Sequence, residues 1–172
     1  GAQQGLRIGC ETVFLPIFDR ESAHDPRWID EISSAGLIYF SGGDPNYLAE
    51  VFMGTPLWDA IVSAWNSGSS LAGCSAGAMA FGGKIVGLRR SQVSQGLDLL
   101  PKIEVIPHYD KFLGWVPERV AAAVIRNDED TSLLGIDENT ALVLTDKWRI
   151  HGAGKVHLLR GELEISKERF LI

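Results

Sequence analysis

Five consecutive residues, Gly73-Cys74-Ser75-Ala76-Gly77, match the pattern G-x-S-x-G. The strand-like stretch Ser70–Cys74 leads into them, and a helix-like stretch, Ala76–Phe81, begins within them. A sharp strand-to-helix turn strains the backbone at its serine, so the residues two before and two after must be small. The helix that follows aims its first N–H groups and the positive end of its dipole at a reacting oxygen. Ser75 is therefore read as a catalytic nucleophile on such a turn, with the backbone N–H of Ala76 as one oxyanion donor. A turn that merely packs a helix close to a sheet would use the same small residues. The strand and helix on either side favour the nucleophile. Cys74 is a rival, but the glycines flank Ser75 symmetrically. Cys74 is expected to be a small buried thiol.

A serine needs a base within hydrogen-bond reach, and the base needs an orienting group. The chain has four histidines. His24 lies in a polar loop. His151 precedes Gly-Ala-Gly and reads as a turn residue. His157 lies in the alternating run Val156-His157-Leu158 and reads as facing solvent. His108 ends an apolar strand and leads the candidates. For the acid, Gly135-Ile136-Asp137-Glu138-Asn139-Thr140-Ala141 puts two carboxylates between two apolar strands. Alternation sends Asp137 and Glu138 to opposite sides. A polar hairpin turn would look the same, and pattern alone leaves the choice of acid open. The order serine, histidine, acid differs from the serine, acid, histidine order of α/β-hydrolases.

The elements that must position these residues alternate in type. Thr12–Ile17 reads as a strand. Asp25-Pro26 opens a helix through Ser34. Leu37–Ser41 reads as a strand buried on both faces. Tyr47–Phe52 and Pro56–Ser67 read as helices. Ile103–Pro107 reads as a strand, Val116–Arg126 as a helix, and Leu133–Asp137 and Ala141–Thr145 as strands. Trp148–His151 and Val156–Leu159 look like hairpin strands. The pattern predicts a single α/β domain over residues 1–172, with a largely parallel sheet and a β-rich C-terminal end. Ligands in such sheets gather at the carboxyl ends of the strands. Gly42-Gly43-Asp44, Ser75 and His108 all follow strand ends.

Composition narrows the function classes. At 172 residues, 45% of them hydrophobic and 22% charged, the chain suits one well-buried domain. A net charge of −6 argues against a nucleic-acid surface, which needs clustered Lys and Arg. No apolar run reaches the roughly 18 residues that span a bilayer. Cys10 and Cys74 suggest no disulfide scaffold, and no metal-like Cys/His spacing occurs. A cytoplasmic enzyme without metal or cofactor is the expectation. Gly1-Ala2-Gln3-Gln4 is neither an initiator nor a signal sequence, so the chain is expected to begin inside a larger protein.

Taken in order, these motifs resemble the dipeptidase E and cyanophycinase family of serine peptidases, whose fold is related to class I glutamine amidotransferases. Tyr39-Phe40-Ser41-Gly42-Gly43-Asp44 resembles the family's strand ending in Gly-Gly-Asp or Gly-Gly-Asn. Gly73 to Ala78 resembles its Gly-x-Ser-Ala-Gly-Ala elbow, and Pro107-His108-Tyr109 the place of its histidine. Gly135 to Ala141 resembles a cyanophycinase-like signature, and Ile150-His151-Gly152-Ala153-Gly154 the closing turn.

The resemblance implies a three-layer α/β fold with a mostly parallel sheet flanked by helices. It implies that the family's N-terminal strand and helix would precede Gly1, and a sheet edge exposed in that way could pair in a homodimer. It assigns Ser75 as nucleophile, His108 as general base and Glu138, ahead of Asp137, as the acid. Oxyanion donors would be the N–H groups of Ala76 and Gly43, and substrate contacts Asp44 and Arg119. Family members often favour an aspartyl residue on the acyl side, which makes Arg89, Arg90 and Arg119 candidate cations. Two departures bear on substrate. Asp44-Pro45-Asn46 replaces a glutamine common in cyanophycinases, and Lys111-Phe112-Leu113-Gly114-Trp115 replaces an arginine-rich stretch. The implied activity is a serine peptidase acting on short peptides, such as aspartyl dipeptides or isoaspartyl-type bonds. An amidase or esterase on the same scaffold, or a non-catalytic amidotransferase-like domain, are the alternatives.

Overall fold

Two helix starts are written into the first half of the chain. The Asp44 carboxylate accepts hydrogen bonds from the N–H groups of Asn46 and Tyr47, and Pro45 opens helix α3 (Pro45–Phe52). The Thr55 hydroxyl accepts one from Trp58 N–H, and Pro56 opens α4 (Pro56–Asn66). A capping oxygen satisfies an N–H left over in the first turn, and proline sacrifices none there. The computed structural model that shows these caps describes residues 2–86, 93–112 and 130–166. The chain divides into two compact units, Gly1–Gly77 and Ala78–Ile172.

The first unit contains α1 (Ala2–Arg7), a short 3-10 turn (Ser22–His24), α2 (Arg27–Ser34), β1 (Leu37–Phe40), α3, α4 and β2 (Ser70–Gly73). Strands β1 and β2 pair in parallel, from Leu37 opposite Ser70 to Phe40 opposite Gly73. A parallel pair needs a long crossover, and α3 and α4 supply it. Leu57, Trp58, Ile61 and Ala64 form the buried stripe of α4. The Phe40 ring meets Phe52 edge-on at 5.1 Å and Trp58 at 6.2 Å.

Helix α5 (Ala76–Ala80) spans the point in the chain where the first unit ends. The second unit continues with β3 (Lys84–Val86), β4 (Val93–Gln95), β5 (Ile103–Pro107), α6 (Tyr109–Phe112), β6 (Ser132–Ile136), β7 (Thr140–Leu144), β8 (Trp148–Gly152), β9 (Val156–Arg160) and β10 (Ile165–Ser166). β5 and β6 run parallel, and β9 returns antiparallel to β6. β7 and β8 form an antiparallel hairpin, with β10 parallel to β8. β3 and β4 pair antiparallel. Val86, Ile106, Tyr109 and Leu133 form a buried cluster, with Leu159 packed against it.

The α/β class expected from the sequence is present, but several details differ. Among the described residues the strands form four small sheets, and parallel and antiparallel pairings are equally frequent. The antiparallel share comes from the β3–β4 pair and the β-rich C-terminal end. Thr12–Ile17 is not a strand, because no described strand pairs with it, and Val13 and Phe14 stay 59% and 64% exposed. β1 is buried on one face only, with Leu37 and Tyr39 about half exposed. Strands β3, β5 and β6 have buried residues on both faces. β8 and β9 do not pair with each other; β8 pairs with β7, and β9 with β6. The expected helix Val116–Arg126 lies outside the described residues. No described helix is long and apolar enough to cross a membrane.

Candidate active site

Parallel pairing decides where the chemistry falls in each unit. Side-by-side parallel strands end at the same edge, so residues just past their carboxyl ends become neighbours. In the first unit Phe40 is opposite Gly73, so Ser41-Gly42-Gly43-Asp44 and Cys74-Ser75 leave the sheet together. A Cβ added to Gly42 would lie 3.5 Å from Ser75 Cβ, which places the Gly42–Gly43 turn beside the serine.

Ser75 has the backbone strain that its motif predicts. Cys74 N–H donates to the Phe40 carbonyl at 2.9 Å, prolonging the β1–β2 ladder by one residue. Ser75 then turns into the left-handed region at φ +54°, and α5 starts at Ala76. A non-glycine residue held there costs about 1–2 kcal/mol. Gly77 explains the second glycine of the motif, since a Cβ there would come within 2.6 Å of the Phe40 carbonyl oxygen. The helix therefore sits tight against β1 only because position 77 lacks a side chain. Ala76 is buried.

Cys74 was expected to be buried but is exposed, as is Cys10. β2 pairs with β1 alone among the described residues, and Leu71, Ala72 and Gly73 are half-buried. Burial, then the Cys74 sulfur accepting from the phenol, push the Tyr39 hydroxyl up to about 12, although 49% of the residue stays open to solvent. Asp44 Oδ1 is engaged as the cap of α3, at 2.8 Å from Asn46 N and 3.1 Å from Tyr47 N.

In the second unit the β5–β6 register places Pro107 opposite Ile136. The next residues are His108 on one strand and Asp137-Glu138 on the other. His108 is itself left-handed, at φ +54°, and α6 begins directly after it. Its Nδ1 lies 3.4 Å from Glu138 Oε1, with the two side chains 35% and 41% exposed. Glu138 is held by its backbone as well, because its N–H donates to Asp110 Oδ1 at 2.8 Å. That contact, foremost, keeps the Asp110 carboxyl below its ordinary value.

Asp137 turns elsewhere. Its Oδ1 contacts His157 Nε2 at 3.0 Å and its Oδ2 accepts from Lys155 N–H at 2.9 Å. His157 is thus not the solvent-facing residue its alternation suggested. It is mostly buried, and its ring lies 4.6 Å from that of Tyr109. Tyr109 in turn fits against β6 because Gly135 leaves room; a Cβ there would meet the Tyr109 ring at 2.5 Å. His24 Nδ1–H donates to the Arg20 carbonyl at 2.8 Å, at the end of the exposed 3-10 turn. His151 lies in β8 opposite Ala141, within a strand and not a turn.

The structure thus brings together His108 with Glu138 in the second unit, and Ser75 with the Gly42–Gly43 turn in the first. Arg89, Arg90 and Arg119 lie outside the described residues. Two contacts were not foreseen in the sequence, Asp110 with Glu138 and Asp137 with His157. Local pattern announces neither, because the partners are 28 and 20 residues apart in the chain. No group of three or more His, Cys, Asp or Glu among the described residues could hold a metal ion.

Comparison with known proteins gives the family. Residues 2–150 match the family model described as Peptidase family S51. The chain belongs to peptidase family S51. This family of serine peptidases is the one that contains dipeptidase E and cyanophycinase. The S51 chain is similar to the crystal structure of a peptidase from an acI-B1 Actinobacterium, with 44% identity and a TM-score of 0.84 over 98% of this chain and 72% of that one. It shares its fold with a candidate peptidase E from Listeria monocytogenes EGD-e, at 14% identity and a TM-score of 0.63 over 90% of this chain and 76% of that one. No curated protein matches the sequence.

Proposed function

We propose that this S51 peptidase hydrolyses short peptides through Ser75, His108 and Glu138 by way of an acyl-enzyme. The observation that carries the reading is the contact of His108 Nδ1 with Glu138 Oε1. A carboxylate at Nδ1 holds the proton on that nitrogen and leaves Nε2 as the proton acceptor. The left-handed backbone at Ser75, inside a strand-turn-helix, supports its role as nucleophile.

In this reading Ser75 Oγ attacks the carbonyl carbon of the scissile bond and its proton passes to His108 Nε2. The N–H groups of Ala76 and Gly43 receive the oxyanion. The imidazolium gives its proton to the leaving amine as the C–N bond breaks. Water then attacks the ester carbonyl, again losing a proton to His108, and Ser75 is released. Asp44 and Arg119 are the proposed substrate contacts. Arg119 is the cation that would favour an aspartyl residue on the acyl side. Because Asp44 Oδ1 caps α3, its other oxygen is the one offered to substrate. The fold we assign is the three-layer, class I glutamine amidotransferase-like arrangement, on the strength of the family.

A serine-directed fluorophosphonate is expected to label Ser75 and to leave Ser75→Ala unmodified. Absence of labelling in the folded protein would overturn the reading. Asp-Xaa dipeptides, tried against simple amides and esters, are expected to be the better substrates; preference for the esters would move the activity to another acyl hydrolase.

A further inference from the structure

We propose that Asp110 is a positioning residue for Glu138, holding the acid to the chain segment that carries the base; this rests on the Ser75–His108–Glu138 reading. Glu138 stands in a turn just past the end of β6, and its side chain is 41% exposed. The next residue, Asn139, is left-handed at φ +53°. An exposed carboxylate on a turn has many rotamers and little packing to choose among them. What fixes its origin is the backbone beneath it. Asp110 Oδ1 accepts from Glu138 N–H at 2.8 Å, across 28 residues of chain. Asp110 sits in the first turn of α6, where Lys111 and Phe112 N–H groups both donate to the His108 carbonyl. One carboxylate therefore links the backbone of the acid to the helical turn that begins at the base.

The opposite flank of the turn is fixed too. Asp137 N–H donates to the Lys155 carbonyl at 3.1 Å, and the Asp137 carboxylate is held by Lys155 N–H and His157. Glu138 thus follows a residue fixed by Lys155 and His157, and its own N–H is fixed by Asp110. The second oxygen of Asp110 lies 3.7 Å from Lys111 Nζ, so the lysine does not compete for Oδ1. A rival account makes Asp110 only a favourable charge near the start of a helix. That account predicts an effect on stability and none on the reactivity of Ser75.

The experiment measures the rate of fluorophosphonate labelling against probe concentration, with unfolding midpoints as a check on the fold. Asp110→Ala is expected to lower the saturating rate about 10- to 100-fold, the scale of a small misplacement of a catalytic group, with half-saturation little changed. Asp110→Asn keeps an oxygen acceptor and is expected to stay within about three-fold of the parent. Asp110→Leu, close in size but without an acceptor, serves if alanine frays α6. Labelling of Asp110→Ala at the parental rate, or equal losses in the Ala and Asn variants, would overturn the inference. Glu138→Gln, run alongside, separates the causes. A slow Glu138→Gln with an unaffected Asp110→Ala removes the role of Asp110 alone. A parental rate in Glu138→Gln removes the triad reading and this inference with it.

Discussion

His108 Nδ1 lies 3.4 Å from Glu138 Oε1, while the adjacent acid, Asp137, gives its carboxylate to His157 and Lys155. Two neighbouring acids thus serve two different histidines. One pair is half exposed, as a reacting group needs to be; the other is mostly buried.

This division predicts opposite phenotypes at positions 137 and 138. Glu138→Gln removes the charge facing His108 and is expected to lower kcat by about 10²- to 10⁴-fold with little change in the unfolding midpoint. Asp137→Asn weakens a mostly buried contact and is expected to cost about 1–3 kcal/mol of stability. Its kcat is expected to fall far less than that of Glu138→Gln. Parallel measurement of kcat and thermal unfolding checks both. The reverse pattern would make Asp137 the acid.

Ser75 offers a test in which activity and stability separate. Its left-handed φ of +54° is a conformation glycine adopts without penalty. Ser75→Gly is expected to abolish labelling and hydrolysis while raising stability by about 1 kcal/mol, since the strain goes with the side chain. Ser75→Ala keeps the Cβ and is expected to lose activity with little gain. Denaturant midpoints compared across the two variants read this difference. A Ser75→Gly variant less stable than Ser75→Ala would show that the backbone at this position carries no removable strain.

Much of this was legible in the chain. Pro56 marks a helix start because the physics of a first turn is local, while α3 starts at Pro45, two residues before the expected Tyr47. The elbow was legible for the same reason, since Gly77 and the turn at Ser75 answer to contacts within a few residues of sequence or across one strand pair. The error at Thr12–Ile17 has the opposite origin. Its β-branched and aromatic residues suit a strand, but a strand exists only with a partner, and composition does not supply one. The burial of His157 was hidden similarly, because its partner Asp137 lies 20 residues away and is met only through the β6–β9 pairing. The exposure of Cys74 is not legible either, because residue type speaks for burial only on average.

Acid sensitivity follows from several carboxylates whose folded values are depressed. The N–H of Glu138 does this for Asp110, the side chain of Arg27 for Asp25, the N–H of Ser22 for Asp19, and the side chain of Arg149 for Asp146. A depressed folded value means that the unfolded chain takes up the proton first as pH falls. The stabilisation is therefore complete above the ordinary carboxylate value of about 4 and is lost as pH falls through the lower folded values. The unfolding midpoint is expected to be level from neutral pH down to about 5 and then to decline. Salt separates the contributions. The pairs Asp25–Arg27 and Asp146–Arg149 are screened by added salt, whereas the bond from Glu138 N–H to Asp110 is a short contact with a neutral donor and is screened less. In high salt the acid decline is expected to become shallower, yet Asp110→Asn should still flatten it further. A midpoint curve for Asp110→Asn that overlays the parent at every pH would show that the folded state places no demand on the charge of Asp110.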